Sequence, residues 1–181
     1  MKGLIVLAMT LLLAACASGP LVRTDYDPSV SFAGYRTYAW RQEPAIKNPL
    51  AKQRLIAAID AQLAGKGWTK VPEQQADIAL VGNVATREEQ TLETFYGDPD
   101  WGAWAWQGAW AAGPRYRTTH VYSYTVGTFV LDMFDSRTMR AVWRATAEGT
   151  VPETPEKTSA AIQKAVTKMF AGFPPDTTVA K

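Results

Sequence analysis

The chain has 181 residues, of which 47% are hydrophobic and 20% are charged, values typical of one globular domain rather than of a disordered chain. The formal net charge is +2, and without the lysine at position 2 the chain keeps 18 basic and 17 acidic side chains. Nucleic-acid binding needs a basic surface that releases counterions, so this near-neutral balance argues against a nucleic-acid partner.

The first 15 residues have the pattern of a bacterial lipoprotein signal peptide. A lysine at position 2 is followed by an apolar run over residues 4–13, which is about half the length that a membrane-spanning helix needs. Residues 13–16 read Leu-Ala-Ala-Cys, a lipobox in which small side chains precede the cysteine. We expect cleavage after Ala15 and lipidation of Cys16; an ordinary secretory signal or an uncleaved N-terminal helix are the alternatives.

Cys16 is the only cysteine of the sequence, so no internal disulfide can form and the domain depends on its own core. Acyl chains on this residue would hold the protein on a membrane, since each buried methylene contributes about 0.8 kcal/mol. Residue 17 is alanine rather than aspartate, which by the usual sorting rule favours the outer membrane, with the domain facing the periplasm. Residues 16–24 are interpreted as the lipidated cysteine and a flexible tether.

The first half of the mature chain predicts a strand, a helix and a second strand. Residues 35–40 are aromatic and β-branched and predict the first strand. Asn48 suits an N-cap and Pro49 the first helical position, and apolar residues at helical spacing follow until Gly65. Residues 77–84 predict the second strand.

The second half predicts two more strands and a helix. Residues 119–134 form a long strand whose apolar residues change parity at Gly127, which predicts a bulge or a sharp twist there. Residues 135–138 are a hairpin turn, and the returning strand over residues 139–148 places Met139 and every second residue after it on one apolar face. Residues 154–173 carry an N-cap, a proline and an apolar stripe typical of a helix.

These elements predict an α+β fold of two layers, with an antiparallel β-sheet packed against two amphipathic helices in the order β-α-β-β-β-α. Residues 25–173 would form this single domain, and residues 174–181 a disordered tail.

Residues 95–117 are an aromatic, glycine-rich segment, predicted to form a loop between two strands. Glycine and proline this dense prevent a regular packed element, and long loops of this kind are often functional. The rings could cap the open face of the sheet as a minor core. They could also bind a protein, a glycan or a membrane surface, because aromatic side chains dominate such contacts. The candidate binding residues are Tyr96, Trp101, Trp104, Trp106, Trp110 and Tyr116.

Catalytic motifs are weak in this sequence. His120 is the only histidine, and its place at the start of a strand favours a structural role over catalysis. Asp98 and Asp100 fit a solvated turn better than an acid–base pair or a weak Ca²⁺ site. The glutamates at positions 88, 89 and 93 fit an exposed charged face. No cysteine–histidine spacing fits zinc and no glycine-rich loop fits a phosphate, so we expect no metal and no cofactor.

Several stretches resemble the bacterial lipoproteins of the DUF4136 family, a domain of unknown function. They are residues 32–40 shortly after the lipobox, a Gly-Thr pair leading to an aspartate over residues 127–132, the turn at Asp135, and Val-Trp-Arg at residues 142–144. The resemblance covers nearly all of residues 22–173. It implies the fold and an envelope location, and it brings no catalytic residue with it.

Three functional hypotheses follow. The first is a non-enzymatic envelope lipoprotein whose aromatic loop binds a protein or glycan partner. The second is an envelope hydrolase acting on glycan or peptide through Asp98, Asp100 or Glu93. The third is a structural lipoprotein of an envelope assembly, which differs from the first only in its partner.

Overall fold

The computed structural model describes residues 19–96 and 117–175, with the side chains of residues 19–91 and 123–175. Two single-turn 3₁₀ helices lie at Phe32–Gly34 and Glu73–Gln75. The helices and strands, in chain order, are β1 (Leu21–Tyr26), β2 (Thr37–Gln42), α1 (Pro49–Gly65), β3 (Thr69–Lys70), β4 (Ile78–Tyr96), β5 (Arg117–Asp135), β6 (Ala141–Thr150) and α2 (Pro155–Met169).

The strands form one six-stranded sheet in the order β1-β6-β5-β4-β2-β3. Strands β4, β5, β6 and β1 pair antiparallel with one another, whereas β2 is parallel to both β3 and β4. The α+β class and the two helices are confirmed, but the sheet is mixed rather than wholly antiparallel. The reason is α1, because a helix that connects two adjacent strands returns the chain in the same direction.

Strand β1 was not predicted. It runs along the outer edge of β6, where Leu21 is the register partner of Glu148 and Tyr26 that of Trp143. The tether expected for residues 16–24 is therefore wrong for residues 21–24. This strand is mostly exposed, so it lacks the apolar alternation that reveals a strand, and its order comes from pairing with β6.

Gly127 lies in an unbroken ladder, paired with Thr86 of β4 and Gly149 of β6. The bulge expected there is wrong. Residues of both parities are buried on this strand, Val126 with 6% exposure and Phe129 with 9%. Because adjacent residues point to opposite faces, the parity change means that β5 buries side chains on both faces of the sheet.

The register shift lies at the other end of β5, between Met133 and Phe134, opposite Trp143 and Ala141. Met139 has a φ of 57° in the connecting turn and is 46% exposed, so the expectation that it shares the buried face of β6 is wrong. Because Met139 adopts a left-handed conformation in the turn, the alternation of buried and exposed side chains along β6 begins only after this residue.

Both helices pack on one face of the sheet and form the core with it. Asn48 caps α1 by accepting the backbone N–H groups of Leu50 and Ala51, and Thr154 caps α2, as the sequence predicted. Fully buried side chains come from both layers, among them Ile59 and Leu63 of α1, Val166 and Met169 of α2, and Ile78, Leu80, Leu131 and Met133 of the sheet.

Candidate functional site

Strands β4 and β5 continue together well beyond the rest of the sheet. They pair without interruption from Ile78–Asp135 to Tyr96–Arg117, whereas β2 stops pairing at Val81 and β6 at Val126. We call residues 88–96 and 117–125 the ribbon, because within the described residues these stretches pair with each other as strands and with no third strand. At roughly 3.3 Å per residue, the ribbon extends about 30 Å past the sheet.

The aromatic segment joins the two strands at the far end of the ribbon. The loop predicted over residues 95–117 is wrong at its ends, because β4 continues to Tyr96 and β5 begins at Arg117; residues 97–116 connect these two positions along the chain. Of the candidate binding residues, only the backbone of Tyr96 is described. The other candidates lie outside the described residues: Trp101, Trp104, Trp106, Trp110, Tyr116 and the lipidation site Cys16.

The candidate catalytic residues are divided in the same way. Asp98 and Asp100 lie outside the described residues. The backbone of Glu93 is paired with that of His120 across the ribbon, a neighbourhood that the sequence did not suggest because the two residues are far apart along the chain. Glu88 and Glu89 belong to β4, and Glu88 is exposed as expected.

A network of ion pairs lies at the base of the ribbon. Arg87 donates to Glu89 and to Glu148 of β6, each at 2.7 Å, and the Tyr124 hydroxyl donates to Glu89 at 2.8 Å. The hydrogen bond from Arg87, with that from Tyr124, lowers the pKa of the Glu89 carboxyl. These groups are largely exposed to solvent, so each ion pair by itself is weak, but together they connect all three strands where β6 ends.

Asp132 and Arg144 form a second ion pair on the same face, which is opposite the helices. They are register partners on β5 and β6, and Arg144 donates to both carboxylate oxygens, through Nε and, at 2.9 Å, through Nη2. Asp132 is only 4% exposed, and its hydrogen bond raises the pKa of the Arg144 guanidinium. Both oxygens of the buried Asp132 carboxylate therefore have a hydrogen-bond donor, although this face of the sheet is not covered by a helix.

A third polar group, at the end of the sheet opposite the ribbon, is structural. Asp135 accepts the backbone N–H groups of Arg137 and Thr138 and the Tyr35 hydroxyl, and Asp77 likewise accepts backbone N–H groups from residues 36 and 37. Backbone donors, from Thr138 and Arg36 first, lower the pKa of the two carboxyls. Burial, reinforced by Asp135, raises the pKa of Tyr35 to about 12. The turn at Asp135 thus joins β5 to the loop before β2.

The start of the described chain lies near the base of the ribbon. Gly149, the partner of Gly127, lies next to Pro20: a Cβ on that glycine would be 3.7 Å from the Pro20 side chain. Lys168 of α2 donates to the Pro20 carbonyl at 3.3 Å. An open groove of about 540 Å³ lies beside this contact, between the start of β1 and the end of α2. No helix in the described residues is long and apolar enough to cross a membrane.

Residues 22–175 match the model of the DUF4136 family, a domain of unknown function, and thus include both helices and the sheet apart from Leu21. The chain belongs to the DUF4136 family. The match confirms the resemblance seen in the sequence, which covered nearly all of residues 22–173. Curated proteins give no match.

Solved structures of low sequence identity share the DUF4136 fold. A DUF4136 family protein from Bacteroides thetaiotaomicron is 19% identical with a TM-score of 0.52, over 87% of this chain and 97% of that one. The PelC dodecamer from Paraburkholderia phytofirmans is 16% identical with a TM-score of 0.50, over 84% and 95%. A PDZ domain protein from Parabacteroides distasonis is 13% identical with a TM-score of 0.53, over 87% of this chain but 36% of that one. At these identities the similarity establishes the fold.

Proposed function

We propose that the protein is a lipid-anchored envelope protein without enzymatic activity, which binds a protein or glycan partner through the aromatic segment at the end of the ribbon. The lipid would be attached to Cys16, and the domain would face the periplasm from the outer membrane. The observation that carries this proposal is the ribbon itself, because it connects the tryptophan-rich sequence to the folded domain through two strands about 30 Å long.

The composition of the segment supports a binding role. Four tryptophans lie within residues 101–110, and aromatic side chains supply large contact areas at little cost in conformational entropy. A segment that capped the core would have to lie against the sheet. The ends of this segment are attached at Tyr96 and Arg117, which form the last pair of the ribbon about 30 Å away from the sheet. This favours a partner outside the domain over the capping role that the sequence left open.

Envelope location is supported by two features. The lipobox places the only cysteine at the end of an apolar leader, which is the pattern of an exported lipoprotein. The described chain begins at Gly19 and Pro20, beside the base of the ribbon, so the anchor and the ribbon would leave the domain from the same end. PelC, a protein of similar fold, forms a dodecamer, so a second copy of this chain belongs among the candidate protein partners.

The anchor is tested by mass spectrometry of the protein from its native host. We expect the mature chain to begin at Cys16 and to carry diacylglycerol and a further acyl chain. A Cys16→Ser variant should lose both the modification and the membrane fraction. An unmodified cysteine still preceded by residues 1–15 would refute the anchor.

The binding segment is tested by crosslinking in the native envelope. Deletion of residues 97–113 should keep the unfolding transition of the domain and abolish the crosslinked partner. The matched control is the double variant Asp98→Asn and Asp100→Asn, which keeps all the rings and should retain the partner. Global unfolding on deletion would instead favour a core-capping role, and loss of a hydrolytic activity in the control would favour the enzyme alternative.

A further inference from the structure

Two lysines of α2 converge where the described chain begins. The Nζ atoms of Lys164 and Lys168 each lie 3.1 Å from the position that a Cβ would take on Gly19. The two ammonium groups are therefore no further apart than twice that distance. Like charges this close repel each other, so the arrangement favours an anion between or beside them.

No carboxylate of the described residues neutralises this pair. Every salt bridge found there involves other cations, and the one hydrogen bond of the pair runs from Lys168 to the neutral Pro20 carbonyl. By contrast, Lys52 is paired with Glu43 at 2.8 Å and Lys70 with Asp60 at 2.9 Å. An ammonium group has three N–H donors, so Lys168 keeps two of them for a ligand beside those of Lys164.

The surroundings fit a ligand that is both anionic and apolar. Lys168 lines the open groove of about 540 Å³ together with Leu21, Val22 and Thr24 of β1. Leu21 is 55% exposed although it is a large apolar side chain. An ammonium group beside exposed apolar surface suits a phosphate that carries a glycerol and acyl group, as phospholipids do.

The two lysines lie next to Gly19, which is close along the chain to the predicted lipidation site, and this closeness favours a ligand from the membrane. Gly19 follows Cys16 by three residues, which span at most about 11 Å. We propose that Lys164 and Lys168 bind the phosphate of an anionic phospholipid in the leaflet that holds the acyl chains of Cys16. The proposal rests on the lipid anchor proposed above and adds a second, electrostatic contact that orients the domain on the membrane.

The test supplies the anchor chemically. The mature chain, residues 16–181, is coupled through its single cysteine to a maleimide lipid in vesicles of phosphatidylcholine alone or with phosphatidylglycerol. Lysines are then acetylated briefly and quantified by peptide mass spectrometry. With phosphatidylglycerol we expect labelling of Lys164 and Lys168 to fall about fivefold, equivalent to about 1 kcal/mol for each lysine. Lys52 and Lys70, already paired with carboxylates, are the internal controls and should not change.

A Lys168→Gln variant should lose most of the protection at Lys164, because one ammonium group holds the phosphate weakly. Equal labelling on the two kinds of vesicle would overturn the site. Equal protection by soluble glycerol phosphate on neutral vesicles would assign the lysines to a free phosphate and overturn the lipid assignment. Because the anchor is chemical, these results are independent of whether the host acylates Cys16, which mass spectrometry decides separately.

Discussion

Two buried carboxylates, Asp132 and Asp135, each accept hydrogen bonds from residues on other strands, turns or loops of this fold. Asp135 is 5% exposed and Asp132 is 4% exposed, and each is satisfied by several donors. Asp135 receives backbone N–H groups within its own turn, whereas Asp132 depends on one arginine across the sheet. Removing such an acceptor leaves buried donors unpaired, and this usually costs more than the hydrogen bond itself contributes.

Asp135→Ala is expected to lower the free energy of unfolding by about 3 kcal/mol, because Thr138, Arg137 and Tyr35 lose their common acceptor. Tyr35→Phe is the matched control, since it removes one of these hydrogen bonds and should cost about 1 kcal/mol. Urea denaturation followed by circular dichroism measures both. A change within about 0.5 kcal/mol for Asp135→Ala would show that the turn is held by other contacts.

Stability is expected to fall in acid through Asp77 and Asp135. Both carboxyls have a folded-state pKa below the ordinary value of 3.8, so the folded state binds fewer protons than the unfolded chain. Their contribution is complete above that ordinary value and is lost as the pH falls through the folded-state pKa. Unfolding free energies measured between pH 7 and pH 2 should show this loss, and Asp135→Asn should make the slope shallower. An unchanged slope would refute the assignment to Asp135.

At the scale of elements, the ribbon has fewer stabilising neighbours than the parts of β4 and β5 that lie within the sheet. Within the sheet, β4 and β5 have helices on one face and neighbouring strands on their outer edges. From Thr125 towards Arg117, the described strand β5 of the ribbon pairs only with β4, apart from one hydrogen bond that the Thr125 carbonyl accepts from the Val151 N–H at 2.8 Å. A two-stranded unit is marginally stable in water and leaves backbone donors and acceptors unpaired on both edges.

Amide hydrogen exchange should separate the two parts of β4. We expect amides of residues 88–96 to exchange roughly 100-fold faster than those of Ile78–Val81, because they open without disturbing the core. The corresponding halves of β5, before and after Val126, are an internal comparison. Equal protection along β4 would mean that another strand, such as one from a second copy, covers the edges of the ribbon.

At the scale of the whole molecule, an aromatic cluster joins segments that are far apart in the chain. The Phe173 ring lies 5.7 Å from Phe32, 5.4 Å from Trp68, 5.1 Å from Trp143 and 5.5 Å from Phe170, measured between ring centroids. These rings belong to the loop before β2, the turn after α1, strand β6 and the residue that follows α2. The last turn of the described chain thus ties both layers together.

Phe173→Ala is expected to lower the free energy of unfolding by about 3–5 kcal/mol, because the lost ring leaves a cavity between four others. Leu50→Ala is the control: Leu50 is 56% exposed and its removal should change stability by less than about 0.5 kcal/mol. The unfolding transitions measured by tryptophan fluorescence and by circular dichroism should shift by the same amount. Separate transitions would indicate that the helices and the sheet unfold independently.

The sequence by itself determined the features that depend on local patterns. Helical spacing and the caps Asn48 and Thr154 located both helices, residue patterns located β5 and the first part of β4 as far as Val84, and a few motifs indicated the family. Tertiary structure decided whatever depends on neighbours. β1 is ordered by the edge of β6, the direction of β2 by the crossover through α1, and the parity change at Gly127 by burial on both faces. The convergence of Lys164 and Lys168 on Gly19 likewise joins residues far apart in sequence, and no local pattern encodes such a contact.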